Sequence, residues 1–171
     1  ITLIQKFILL LGHPLYATSM IIFSLLISSG TGSFFSKRIL GQDLKTNLRK
    51  TLFLCALLIA AYLFLIPLFC ASFIGFNLVL RMFIVFFLIF PLGFLMGFPF
   101  PTGIRLLEQS EKTHIAWAWA TNAFSSVVNS VSALIAAFWV GYSLVLVLAA
   151  GGYLLSLLFL DFSHHGNKNN L

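Results

Sequence analysis

Residues 78–103 read LVLRMFIVFFLIFPLGFLMGFPFPTG. At 1.5 Å per residue, a helix over 78–97 covers about 30 Å, the thickness of a bilayer's hydrocarbon core. Arg81 then lies inside the span's first turn and must snorkel to the interface. Glycines stand at 93 and 97, a small-xxx-small spacing that lets another helix backbone come close in lipid. Pro99 and Pro101 remove two backbone donors and push Phe98 and Phe100 out of the helical region. The span is therefore expected to end near Gly97. Arg105, Glu108, Glu111, Lys112 and His114 form the first charged cluster after it, which sets the turn 97–103 at a membrane–water boundary. The plain reading of Gly97, Pro99, Pro101, Gly103 and Arg105 is a helix stop. The functional reading is a hinge or gating loop.

The rest of the composition agrees with a membrane location. Of 171 residues, 60% are hydrophobic and 8% charged, where a soluble domain carries about 25% charged residues. Mean hydropathy is +1.06. The apolar runs are continuous and about 20 residues long, which excludes a β-barrel of short alternating strands. The fold class is all-α: a polytopic helical membrane protein with about five transmembrane helices, preceded by a short helix that is either interfacial or truncated. The spans are expected at about 15–35, 52–73, 78–97, 115–140 and 144–160. A polar, disordered tail is expected at 161–171.

The short helix is ITLIQKFILLL at 1–11, too short to span, and Gly12 and Pro14 end it. His13 between them reads as a cap or surface residue rather than a ligand. Ile1 opens the chain inside an apolar stretch, with no basic n-region or small-residue cleavage site, so a fragment is expected. The first span is rich in small residues, Ser24, Ser28, Ser29, Gly30, Gly32 and Ser33, which favour tight helix packing. Pro67 is a kink candidate in the second. Cys55 and Cys70 share that span, about 22 Å apart on a straight helix, and cannot bridge each other.

Five spans alternate sides. Lys37, Arg38, Lys45, Arg49, Lys50, Arg105, Lys112 and Lys168 then fall on one side, and Lys6 and Arg81 on the other. The positive-inside bias predicts an outside N-terminus, a cytoplasmic C-terminus and a multi-pass protein of the inner (plasma) membrane. The net charge of +6 is explained by these loops, and nucleic acid is not an expected partner.

The fourth span carries the most polar information. Asn122, Ser125, Ser126, Asn129 and Ser132 recur at three- and four-residue spacing and share one helix face. An amide facing lipid near the middle of the span, as at Asn129, would cost several kcal/mol, so the stripe must face protein or water. It is either a dry helix seam or the lining of a substrate pathway. Asp43, Glu108, Glu111 and Asp161 all lie at or outside the span ends. That weakens a proton-coupled carrier confined to these spans. There is no GxGxxG, GxSxG or HExxH. His164 and His165 stand side by side with no further ligand at metal-site spacing. No catalytic residue, metal site or cofactor is assigned.

Three strings carry a family resemblance: LIQKFILLLGHPLYATSMIIFSLLISSGTGSFFSKR at 3–38, MGFPFPTGIRLL at 96–107 and AWAWATNAFSSVVNS at 116–130. Together they resemble the membrane part of large prokaryotic spermidine synthase-like proteins, some of them fused to a transporter-like half. Gly12, His13, Pro14, Gly32, Pro99, Pro101, Gly103, Arg105 and Asn122 match the family pattern. The resemblance implies an integral membrane segment, the C-terminal one. It would accompany upstream transmembrane and Rossmann-type aminopropyltransferase-like domains, on the same or a neighbouring chain. It would anchor or serve that domain without being catalytic itself. The other readings are a transporter-like half moving a small organic cation or metabolite, and a purely structural membrane subunit.

Overall fold

The computed structural model describes residues 2–41, 43–110 and 114–166. Its elements are all helical: α1 (Thr2–Leu11), α2 (Pro14–Leu40), α3 (Leu44–Phe73), α4 (Leu78–Met96), α5 (Pro99–Ser110), α6 (Ile115–Val140) and α7 (Tyr142–Gly166). Four stretches are long and apolar enough to cross a membrane: Pro14–Ile39, Leu44–Phe73, Leu78–Glu108 and Ile115–Val140. Tyr142–Leu158 is a shorter apolar helix, about 26 Å long at 1.5 Å per residue. The chain is an all-α polytopic membrane bundle.

Helices outrun their apolar cores. Most of the loop expected over 36–51 is helical, because α2 continues to Leu40 and α3 starts at Leu44, through their basic ends. Lys37 and Arg38 sit in the last turn of α2, where cations oppose the negative end of the helix dipole. The expected tail at 161–171 is helical in its first part. Residues 161–166 continue α7, and 167–171 lie outside the described residues.

The turn after α4 also differs from expectation. Gly97 caps α4, its N–H bonding the Gly93 carbonyl at 3.0 Å, and Phe98 occupies the turn. Phe100, however, is helical. Pro99 and Pro101 are the first and third residues of α5, positions whose N–H groups have no intrahelical acceptor, so the missing donors cost nothing there.

Helix α1 is exposed on one side, at Gln5 and Leu9, and buried on the other. Phe7 and Leu10 are fully buried in a core built with Ala17 and Ile21 of α2, Tyr62 and Ile66 of α3, Val85 and Ile89 of α4, and Leu146 of α7. Its end is sharply defined. Gly12 takes φ 78°, a left-handed conformation that glycine adopts without strain, and returns its N–H to the Ile8 carbonyl at 2.8 Å. His13 then caps α2, its Nδ1 accepting from the Leu15 N–H at 3.2 Å. Arg81 reaches this same corner. Its guanidinium donates to the Leu10 carbonyl at 2.6 Å, a cation on the C-terminal end of α1.

The tightest seam joins α2 and α4, which run parallel. A Cβ added at Gly32 would collide with the Phe94 backbone, its carbonyl carbon only 2.9 Å away. One at Gly97 would meet the Ser29 carbonyl and the Ser33 nitrogen, the latter at 2.8 Å. One at Gly93 would strike the Ser28 side chain. Ser24 and Ser28 are fully buried, yet they bond carbonyls of their own helix, Met20 and Ser24, at 2.6 Å each. They serve the seam as small residues whose hydroxyls are already satisfied. Between α3 and α4, Tyr62 donates its hydroxyl to the Leu88 carbonyl.

Candidate functional site

Helix α6 stands apart from the core. Ala137 is its one buried residue among those described, and it packs against α5 and α7 only at its edges. Trp119 meets Phe100 of α5 edge-on, with centroids 4.7 Å apart. Trp117 and Trp139 are exposed near opposite ends of the helix, about 33 Å apart at 1.5 Å per residue, a spacing that fits two interfacial belts.

Between α6 and α7 opens a cleft of about 870 Å³. The polar stripe supplies one wall through Asn122, Asn129 and Ser132. Met96 and Pro99, on either side of the α4 turn, close one end. Helix α7 supplies the opposite wall, including Gly152, Tyr153 and Ser156. The structure thus brings three of the five stripe residues to one cavity. Ser125 is half-buried and Ser126 exposed, and neither lines it. The side chains of Asn122 and Asn129 are exposed and make no hydrogen bond among the described residues.

Sequence reasoning missed the α7 wall. A signal was present, since Ala149, Gly152, Tyr153 and Ser156 follow i, i+3, i+4, i+7 spacing and form one small or polar face. A Cβ at Gly152 would meet nothing within 4 Å, so this position faces open space.

The turn residues divide by role. Gly97 touches α2, and Pro99 borders the cleft. Pro101 offers its carbonyl to Arg105 Nε at 3.4 Å. Gly103 faces open space. Arg105 donates to Ser36 of α2 at 3.3 Å and to the buried Thr102 hydroxyl at 3.4 Å, tying α5 to the end of α2. Gly12, His13 and Pro14 lie at the opposite end of the bundle. Among the described residues no three His, Cys, Asp or Glu side chains gather as a metal site.

No protein-family profile, curated protein or solved structure matches the chain.

Proposed function

We propose that the chain is the membrane-embedded part of a spermidine synthase-like protein, anchoring an aminopropyltransferase-like domain carried elsewhere. One observation supports this reading above others: parts of the three resembling strings meet around a single turn. Gly32 of the first presses on Phe94, one helical turn before that turn, and Gly97 of the second presses on Ser29 and Ser33. Pro99 of the second and Asn122 of the third border one cleft. Unusual strings that meet in space are better explained by a shared structural task than by separate helix stops. The chain would sit in the inner (plasma) membrane with its N-terminus outside and C-terminus in the cytoplasm. The anchored domain would then dock on the basic cytoplasmic face. Reading the native DNA upstream of the Ile1 codon tests this. A Rossmann-type domain with a glycine-rich loop, in frame or in the adjacent gene, is expected. A free-standing gene with no such segment nearby would sink the reading.

The unpaired amides favour a second role for the same module, as part of a substrate route. Asn129 lies about 21 Å along α6 from Ile115, near mid-span. Amides unsatisfied at that depth cost several kcal/mol unless water or a ligand enters. The cleft lining offers amides and hydroxyls and no charge. It therefore suits a polar metabolite better than a bare polycation. Asn129→Cys, with Cys55 and Cys70 replaced by alanine, should react with a membrane-impermeant thiol reagent. A Phe138→Cys control on the lipid-facing side should not. An inert Asn129→Cys would make the stripe a contact surface.

A further inference from the structure

A second cavity, of about 540 Å³, lies between the N-terminal part of α3 and the C-terminal part of α7, at the basic end of the bundle. Its composition changes along its length. Thr46, Arg49 and Lys50 form the outer rim, and Phe53, Leu154 and Leu158 form the floor toward the membrane interior. The gradient follows from the antiparallel run of the two helices. Advancing from Lys50 to Phe53 on α3 and retreating from Leu158 to Leu154 on α7 both move inward by about one turn.

We propose that this groove holds one anionic phospholipid, its phosphate on Arg49 and Lys50 and an acyl chain along Phe53, Leu154 and Leu158. Charge complementarity and depth carry the argument. Lys37, Arg38, Lys45, Arg49, Lys50 and Arg105 fall at this end of the helices against Asp43, Glu108 and Asp161, which leaves it net basic. A guanidinium and an ammonium on successive residues can share one phosphate, the first through a planar fork and the second as a point charge. Phe53, Leu154 and Leu158 are each about half exposed, an apolar surface that an acyl chain can cover. A soluble acidic peptide would have no use for that floor. Basic pockets between membrane helices take anionic head groups on these grounds. This site is separate from the α6–α7 cleft and does not depend on the function proposed above.

Native mass spectrometry of the full chain, titrated with phosphatidylglycerol and with phosphatidylcholine, tests the proposal. Phosphatidylglycerol should bind more tightly. Arg49→Gln combined with Lys50→Gln should weaken it about tenfold or more, from the loss of two charges near the surface. Lys50→Gln alone should produce part of that loss and serves if the double variant fails to fold. Lys37→Gln with Arg38→Gln removes the same charge from α2, outside the groove, and should retain most of the preference. Leu154→Gln should weaken both lipids. Equal binding of the two lipids by the parent chain would overturn the site. So would an equal loss in the α2 control, which would mean diffuse attraction. Displacement of the lipid by millimolar inorganic phosphate would overturn the acyl-chain half of the argument.

Discussion

Gly32, Gly93 and Gly97 hold α2 and α4 at a distance no side chain allows. Lipid tails are as apolar as leucine, so helices in a bilayer gain little from hydrophobic contrast and depend on close packing. Replacing Gly97 by alanine places a methyl group against the Ser29 carbonyl, and backbone cannot swing aside as a side chain can. Gly32→Ala and Gly97→Ala should each destabilise the bundle by about 1–3 kcal/mol, the usual cost of overpacking. Gly103→Ala is the matched control. It meets nothing within 4 Å in a helical position and should gain about 0.5–1 kcal/mol. Thermal unfolding in detergent separates them, and a stable Gly97→Ala protein would refute the seam.

Among whole elements, α1 and α6 depart most from a simple row of spans. Helix α1 has ten residues, too few to cross a membrane, yet its apolar face enters the core and Arg81 caps its end. Helix α6 has the length of a full span but almost no covering within the chain. The α3–α4 pair lies between these extremes and is bound by the Tyr62 hydroxyl on the Leu88 carbonyl. Pro91 lacks the N–H that would have bonded the neighbouring Phe87 carbonyl, so this stretch of α4 is locally short of internal bonds. Tyr62→Phe should cost about 0.5–1.5 kcal/mol. The same measurement checks it, and no change in melting would show that the bond contributes nothing.

For the molecule as a whole, helix order puts the end of α2, the start of α3, α5 and the end of α7 at one end, and residues 12–13, 74–77 and Gly141 at the other. The first end carries most of the basic residues. Alkaline phosphatase fused after Phe76 should be active, since that loop would face outward. Green fluorescent protein fused after Leu171 should fluoresce in the cytoplasm. The reverse pair of results would invert the topology and remove the docking face for a cytoplasmic domain. At this scale too, reactivity of Asn129→Cys is the readout of whether water reaches the α6–α7 cleft.

The membrane class, the presence of the long apolar helices and the small residues available for close packing all follow from the sequence alone. Run length, glycine spacing and proline position are local, and a helix in lipid satisfies its backbone within itself. Ile115–Val140 and Met96 mark helix ends within a residue or two of where hydropathy and glycine place them. Other features were decided only by the tertiary structure: α1 entering the core, Arg81 meeting Leu10, Tyr62 meeting Leu88, and Tyr153 and Ser156 facing the asparagine stripe. In a soluble protein, apolar residues mark the buried face of a helix. In a bilayer, both the protein-facing and the lipid-facing sides are apolar, so the pattern does not say which face meets which neighbour. That choice is made by contacts between residues far apart in the chain, and it determines whether a polar stripe becomes a seam or the wall of a cleft.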